Sequence, residues 1–130
     1  MQLYNRFTSI EFYKNWIEHL IVQEWDGYED YMEKYGPNND LDAYSKANSM
    51  GAFFDGIGVL VRRNLIDHKL VFDLYSPAVI MTTWNKYEEF LKTVRRFSND
   101  PAEYSAFDYL YNEAVKMNPK ANTIQNPLKN

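Results

Sequence analysis

Cysteine is absent from this chain of 130 residues, glycine occurs five times, and no long apolar run is present. Without cysteine the protein has no disulfide, no thiolate metal ligand and no cysteine nucleophile. The longest purely apolar run, Ile57 to Val61, is far shorter than the ~20 residues that cross a bilayer. The amino-terminal stretch also lacks the apolar core of a secretory signal. We therefore expect a soluble, cytoplasmic protein with no membrane partner.

The histidines and carboxylates form no catalytic or metal-binding pattern. Helical di-metal proteins place a glutamate three residues before a histidine, and neither His19 nor His68 has one. The acidic group Glu29, Asp30 and Glu33 offers oxygen ligands but lacks the loop and the glycine of a calcium hand. A lone histidine with no nucleophile beside it is typically a surface or half-buried residue. The sequence predicts no catalytic residue, no metal and no cofactor, and it favours a non-enzymatic protein.

Three glycines, Gly51, Gly56 and Gly58, lie close together near the middle of the chain. A dinucleotide-binding loop needs a preceding strand and a third glycine at the position that Val61 occupies. Phenylalanine and leucine flank these glycines instead. We therefore expect them to lie inside a helix and to permit close helix packing.

The same central segment shows the strongest helical periodicity. Apolar residues that recur at steps of three or four lie on one face of a helix. The stripe consists of Ala47, Met50, Phe54, Ile57, Val61 and Leu65. The doublet Arg62-Arg63 favours a helix end at this point, because cations stabilise the carboxyl end of the helix dipole.

Caps and prolines predict where the later helices begin. Asp67 matches an N-cap, and Pro77 suits the first position of a helix. The segment Asp100-Pro101-Ala102-Glu103 combines a cap, a first-position proline and a reciprocal glutamate, which predicts a helix from that point. The inner faces are predicted to be Leu70, Val71, Leu74 and Tyr75 in the first of these helices and Ile80, Trp84, Tyr87, Leu91 and Val94 in the second.

Similar signals precede the central segment. Thr8 and Glu11 form a capping box, Gly36-Pro37 ends a short acidic helix, and Asp40 caps the next one. We predict an all-α fold, a single compact bundle of about five or six helices with mostly antiparallel neighbours, because the links are short. Residues 1–117 are expected to form this domain, and residues 118–130 an extended or disordered tail.

Charge is distributed unevenly along the chain, whose net charge is −4. The segment from Glu11 to Asp42 contains nine acidic and two basic residues. The segment from Gly56 to Phe97 contains seven basic and four acidic residues. Segments of opposite sign either complement one another or serve different partners.

The arginine doublets Arg62-Arg63 and Arg95-Arg96 are the most distinctive polar feature, and each closes a predicted helix. One arginine of a doublet can pair inside the protein while the other stabilises a helix end. Alternatively, the doublets contact an acidic partner protein or the phosphates of a nucleic acid. A pI near 5.1 and the absence of a basic recognition helix argue against nucleic acid without excluding it.

The chain resembles a prokaryotic family of small helical proteins, the one numbered four-seven-six-zero in the domain-of-unknown-function series. The resemblance rests on the run from Phe53 to Asp73, on Trp84, on Arg95 or Arg96, and on the spacing of Tyr104, Phe107 and Leu110. It covers nearly the whole chain and implies a helical domain in a bacterium or archaeon, without a reaction. It also implies a shared polar and aromatic centre made of Asp55, Arg62, Trp84 and Arg95 or Arg96.

Three classes of function follow from these features. The first, which we favour, is a non-enzymatic helical module that binds a protein partner or another copy of itself. The second is a regulator that contacts nucleic acid through Arg62, Arg63, Lys69, Lys92, Arg95 and Arg96. The third is a small-ligand binder or enzyme with a polar pocket lined by Asp55, Arg62, Tyr75 and Trp84. The candidate binding residues are Asp55, Arg62, Arg63, Trp84, Arg95 and Arg96.

Overall fold

A computed structural model describes residues 10–117, apart from the side chains of residues 10, 12, 92, 93, 96 and 97. The predicted cap at Thr8 and the predicted tail 118–130 lie outside the described residues. Within them all regular structure is helical, which confirms the all-α prediction.

Six helices can be followed through the described part of the chain. Helix α1 covers Ile10–Ile17 and continues into a π-helical segment, Glu18–Val22; the others are α2 (Gly27–Tyr35), α3 (Leu41–Arg62), α4 (His68–Leu74), α5 (Pro77–Ser98) and α6 (Ser105–Met117). The chain divides into two compact units within α3, the first ending at Met50 and the second beginning at Gly51. That residues 1–117 form one domain stays a prediction.

Two aspartate caps and a proline begin three of these helices, as the sequence predicts. The Asp40 carboxylate accepts the Ala43 N–H at 3.1 Å, and the Asp67 carboxylate accepts the Lys69 N–H at 3.0 Å. Helix α5 begins at Pro77, which has no amide hydrogen to leave unpaired. Local sequence is therefore sufficient to position these helix starts.

Helix α3 ends at Arg62 in a Schellman motif. Asn64 adopts the left-handed conformation with a φ of 59°. The Leu65 N–H donates to the Leu60 carbonyl at 2.8 Å, and the Asn64 N–H donates to the Val61 carbonyl at 3.0 Å. Leu65 thus leaves the helix, and its side chain is 68% exposed. The prediction that Leu65 extends the buried stripe is wrong, because the helix turns away before reaching it.

The short helix α4 buries a different set of residues from the predicted one. Val71, Phe72 and Tyr75 are buried, whereas Leu70 is 46% exposed. The prediction that Leu70 lies on the inner face is therefore wrong. A helix of seven residues has room for one buried stripe, and here that stripe is centred on Val71 and Phe72.

Helix α6 begins four residues later than the start at Pro101 that the sequence predicts. The Asp100 carboxylate accepts the Ala102 N–H at 3.0 Å, but this closes a turn rather than opening a helix. Tyr104 has a φ of 61°, which interrupts any helical path from Asp100. Regular helix starts at Ser105. The predicted start is wrong because Arg95 donates to the Glu103 and Tyr104 carbonyls and holds the segment in a turn.

The core of the second unit is formed by α3, α5 and α6, and the last two pack directly against each other. Of the predicted α5 stripe, Ile80, Trp84, Tyr87 and Leu91 are buried, with none more than 3% exposed, whereas Val94 is half-buried. Phe54 and Ile57 of α3 and Phe107, Leu110 and Ala114 of α6 have no exposed surface. The periodicity of the sequence therefore identified most of this core.

The first unit contains an aromatic cluster around Tyr31, whose side chain is fully buried. The Tyr31 ring centroid lies 4.7 Å from that of Trp25 and 5.7 Å from that of Tyr35. Burial raises the pKa of the Tyr31 hydroxyl well above its usual value.

Candidate functional site

Asp55 and Arg62 of α3 both contact the first turn of α6. An Asp55 carboxylate oxygen accepts the Phe107 N–H at 2.9 Å, and Arg62 Nη1 donates to Ser105 Oγ at 3.3 Å. The first amide hydrogens of a helix have no partner within the helix itself. Asp55 therefore caps α6 from another helix, and Arg62 contacts the residue with which α6 begins.

Gly58 lies between these two side chains on the same face of α3 and brings the two backbones together. A Cβ at Gly58 would overlap the carbonyl oxygen of Ala106. At Gly51 a Cβ would lie 3.3 Å from the Tyr104 ring, whereas at Gly56 it would have no neighbour within 4 Å. The prediction of close helix packing is confirmed for Gly58 and Gly51 and is wrong for Gly56.

Arg95 of α5 contacts the chain immediately before α6. Its Nε donates to the Glu103 carbonyl at 2.5 Å, and its Nη2 donates to the Tyr104 carbonyl at 3.2 Å. The guanidinium carbon lies 5.9 Å from the Trp84 ring centroid, within cation–π range. Arg95 thus holds two backbone carbonyls of the turn that precedes α6.

Aromatic rings pack beneath this polar group. The Phe107 ring centroid lies 5.1 Å from that of Trp84 and 5.4 Å from that of Phe54. Trp84 also lies 5.9 Å from Tyr111. Aromatic pairs at these separations add stabilisation beyond the burial of their area.

We call Asp55, Gly58, Arg62, Trp84 and Arg95 the α6 anchor. It brings together four of the candidate binding residues predicted from sequence. The side chain of Arg96, the fifth, lies outside the described residues, and Arg63 does not join the anchor. Each polar member of the anchor holds a backbone or hydroxyl group of residues 103–107, so the group has a clear architectural use.

A known protein family matches most of this chain. The family model described as a domain of unknown function (DUF4760) matches residues 14–114. The chain belongs to the DUF4760 family. Comparisons with curated proteins and with solved structures find no match. The resemblance noted from sequence is confirmed, and since the family description carries no activity, the function is unknown.

The corner between α3 and α4 of this DUF4760 domain presents charged and apolar side chains outward. We call Arg63, Leu65, Lys69 and Leu70 the basic corner; all four are exposed. In the described part of the chain, neither the Arg63 guanidinium nor the Lys69 ammonium lies within ion-pair distance of a carboxylate. The two leucines of the corner are those that sequence periodicity wrongly placed inside.

A pocket of about 440 Å³ lies beside the basic corner. Its lining is Val61, Asn64, Ile66, Asp67, His68, Tyr109 and Glu113. None of the four residues suggested for a polar ligand pocket is among them. Tyr75, one of those four, instead lies with its ring 6.1 Å from that of Phe53, and burial raises the pKa of its hydroxyl.

The charged groups of this pocket already have partners. The Glu113 carboxylate lies 3.6 Å from the Lys116 ammonium. The Asp67 carboxylate accepts the Lys69 N–H and lies 3.7 Å from His68 Nδ1. Among residues 10–117 no group of three or more His, Asp or Glu side chains is arranged to hold a metal ion. The pocket therefore lacks a ligand set that would define its chemistry.

His19, in the first unit, is more deeply buried than the sequence predicts. The sequence predicts a surface or half-buried residue here, but the His19 side chain has no exposed surface. The π-helical turn brings His19 Nδ1 within 2.8 Å of Gln23 Oε1, whereas Nε2 is buried without a hydrogen-bond partner among the described residues. Burial lowers the pKa of His19. The expectation was wrong because a neutral imidazole with one amide partner can be buried.

The acidic group Glu29, Asp30 and Glu33 of the first unit behaves as a solvated helix face. Asp30 accepts the Asp26 N–H at 2.8 Å and pairs with Lys34 at 3.1 Å. These contacts lower the pKa of the Asp30 carboxyl. Glu29 and Glu33 are exposed. None of the helices described here combines the length and the apolar character that a membrane span requires.

Proposed function

We propose that this DUF4760 domain is a non-enzymatic helical module that binds another protein through the basic corner. The observation that carries the proposal is the exposure of two leucines that follow the end of α3. Leu65 is 68% exposed and Leu70 is 46% exposed. Each is within two residues of a cation that has no carboxylate partner among the described residues. An exposed apolar group with a charged rim is typical of a protein-binding surface.

The alternative of an enzyme has less support. Its best candidates, Asp55, Arg62 and Arg95, contact backbone or hydroxyl groups of residues 103–107. A group used in this way is not available to a substrate unless α6 is displaced. The adjacent pocket offers Asp67, His68 and Glu113 without a paired nucleophile. The corner therefore supports binding better than it supports chemistry.

Photo-crosslinking in the cells that make the protein tests this proposal. A photoreactive amino acid at position 65 is expected to give a discrete adduct with another protein. The same amino acid at position 41 is the matched control, because Leu41 is 63% exposed in the first unit and lies outside the basic corner. Adducts of equal yield at both positions, or none at position 65, would contradict the proposal.

We also propose that the protein acts in the cytoplasm of a prokaryote. The absence of cysteine fits a reducing compartment, and the sequence resemblance implies a prokaryotic source. Fractionation of the source cells, with the protein detected by antibody, tests the location. Recovery in an extracellular or envelope fraction would contradict it.

A further inference from the structure

We infer that the segment seated on the basic corner is an acidic stretch of a partner protein that carries apolar side chains among its carboxylates. The inference rests on the proposed function and adds the chemistry of the partner. Three observations lead to it: cations without an ion pair among the described residues, exposed leucines, and the negative net charge of the chain.

The cations of the corner differ from the other lysines whose pairing is described. Lys34, Lys46 and Lys116 each lie within 3.6 Å of a carboxylate three or four residues away. Lys69 has Asp73 four residues later, but no ion pair forms between them. A basic residue that precedes its acid is the weaker order for such a pair on a helix. Carboxylates of a partner can therefore approach Lys69 and Arg63 without displacing an internal ion pair.

The acidic residue nearest to the corner, Asp67, already has a structural role. Asp67 accepts the Lys69 N–H at 3.0 Å and so caps α4. From Arg62 to Asp73 three basic residues stand against two acidic ones, Asp67 and Asp73. The corner is thus cationic on a chain of net charge −4. An acidic partner is repelled by most of the molecule and attracted here, which selects this surface and orients the encounter.

The leucines decide which class of anion fits. Leu65 and Leu70 expose apolar surface within two residues of the cations in sequence. Nucleic-acid phosphates would satisfy Arg63 and Lys69 but would leave that apolar surface in water. An anionic membrane requires a longer amphipathic face than α4 offers, since α4 has seven residues and exposes Asp73. A protein segment that alternates carboxylates with apolar side chains matches both components.

Selection from a phage-displayed library of random peptides about 15 residues long tests the inference without a known partner. The full chain is the bait, and phage that bind the empty support are removed. Selected peptides are expected to be rich in Asp and Glu with interspersed Leu, Ile or Phe. Their affinity, measured by fluorescence polarisation, should fall at least tenfold with Arg63→Glu/Lys69→Glu and with Leu65→Ser/Leu70→Ser, and should weaken as salt is raised.

The matched control is Lys14→Glu/Lys34→Glu, which makes the same change in net charge within the first unit. It should alter peptide affinity less than twofold. Circular dichroism of every variant checks folding, which is expected to be unchanged because the altered side chains of the corner are exposed. Equal loss in the control would overturn the inference, since it would reduce the effect to overall charge.

Other outcomes identify a different occupant. Selected peptides that are neutral or basic, or that bind the charge-reversed variant equally, would overturn the inference. If such peptides still require Leu65, the proposed function survives and its acidic partner does not. Tighter, corner-dependent binding to duplex DNA or to vesicles of anionic phospholipid would also overturn it. So would a dimer in analytical ultracentrifugation that Arg63→Glu/Lys69→Glu dissociates, because the occupant would then be a second copy.

Discussion

Arg62 and Arg63 are neighbours in sequence, yet their side chains belong to two regions with opposite designs. Arg62 reaches Ser105 in the α6 anchor, where polar groups hold other parts of the same chain. Arg63 belongs to the basic corner, where charged groups face outward. The difference shows that residue type alone does not reveal whether an arginine is architectural or available. What decides it is whether an unsatisfied backbone or hydroxyl group lies within reach.

The anchor illustrates why a helical domain places polar residues near its core. Phe107, whose N–H bonds to Asp55, is buried with its ring packed against those of Phe54 and Trp84. A buried amide without a partner costs about 1–3 kcal/mol. Asp55 removes that cost, and Gly58 allows α3 to approach closely enough for Asp55 to do so. The charged groups of the basic corner are exposed to solvent, so they do not have the cost of a buried polar group without a partner.

Substitution of Gly58 is expected to give the largest effect and to separate the anchor from the rest of α3. Gly58→Ala should lower the free energy of unfolding by about 2–3 kcal/mol, because the new methyl group forces α3 and α6 apart. Gly56→Ala is the matched control and should raise it by about 0.5–1 kcal/mol, since its Cβ meets nothing. Urea denaturation measures both. A Gly58→Ala variant as stable as the parent would break the comparison.

Removal of the Asp55 carboxylate should come next in size. Asp55→Ala is expected to lower the free energy of unfolding by about 1–2 kcal/mol, because the Phe107 N–H loses its acceptor. Asp55→Asn keeps a carbonyl oxygen and should recover part of the loss. Hydrogen exchange at the Phe107 amide should accelerate in the alanine variant ahead of amides in α4. Uniform acceleration across the domain would show that Asp55 does not act locally.

Conservative replacement of arginine sharpens the comparison directly. Arg95→Lys should lower the free energy of unfolding by about 1 kcal/mol, because an ammonium cannot reproduce the planar fork that reaches two carbonyls and stacks on Trp84. Arg63→Lys should change it by less than about 0.5 kcal/mol, as is usual for an exposed side chain. Thermal unfolding monitored by circular dichroism measures both. Equal effects would mean that the two regions are not distinct.

His19 extends the comparison to a polar group turned inward without a full set of partners. The loss of stability caused by protonation of His19 is expected to be absent at neutral pH and to grow on acidification. Burial lowers its pKa from the ordinary value of 6.5, so the unfolded chain binds the proton more readily than the folded one. The stabilising contribution of neutral His19 is complete above pH 6.5 and is lost as the pH falls from there through its folded pKa.

Charged neighbours modulate this titration without reversing it. Gln23 and the carboxylates of Glu18 and Asp40 favour the protonated imidazole, whereas Lys46 disfavours it, and desolvation outweighs them all. Urea denaturation of the parent and of His19→Gln between pH 7 and pH 5 measures the effect. The parent should lose stability faster than the variant. Parallel profiles would show that His19 is not the group that titrates.

Local signals predicted much of the fold. Asp40, Asp67 and Pro77 each begin a helix by bonds or conformations that involve residues no more than four positions away. Such signals are readable in sequence because both partners are adjacent in it. The buried stripe of α5 is readable for the same reason, since helical geometry fixes which residues share a face.

The errors occurred where a nonlocal contact or a chain reversal intervened. Leu65 continues the α3 periodicity, but Asn64 turns the chain before Leu65 can lie on the helix. Asp100 carries good start signals, yet Arg95 holds the carbonyls of Glu103 and Tyr104 in a turn. The candidate site was predicted in part: four residues of the anchor were named, but not their common attachment to α6.

By itself the sequence determined that the chain is helical, where most of its helices begin and end, and which residues fill the core of the second unit. Those properties depend on side chains a few positions apart. The tertiary structure decided that α6 begins at Ser105, because its cap, Asp55, lies 52 residues before the Phe107 amide that it satisfies. It also decided which arginine of the first doublet has a hydrogen-bond partner on another helix, since only folding brings Ser105 within reach of Arg62.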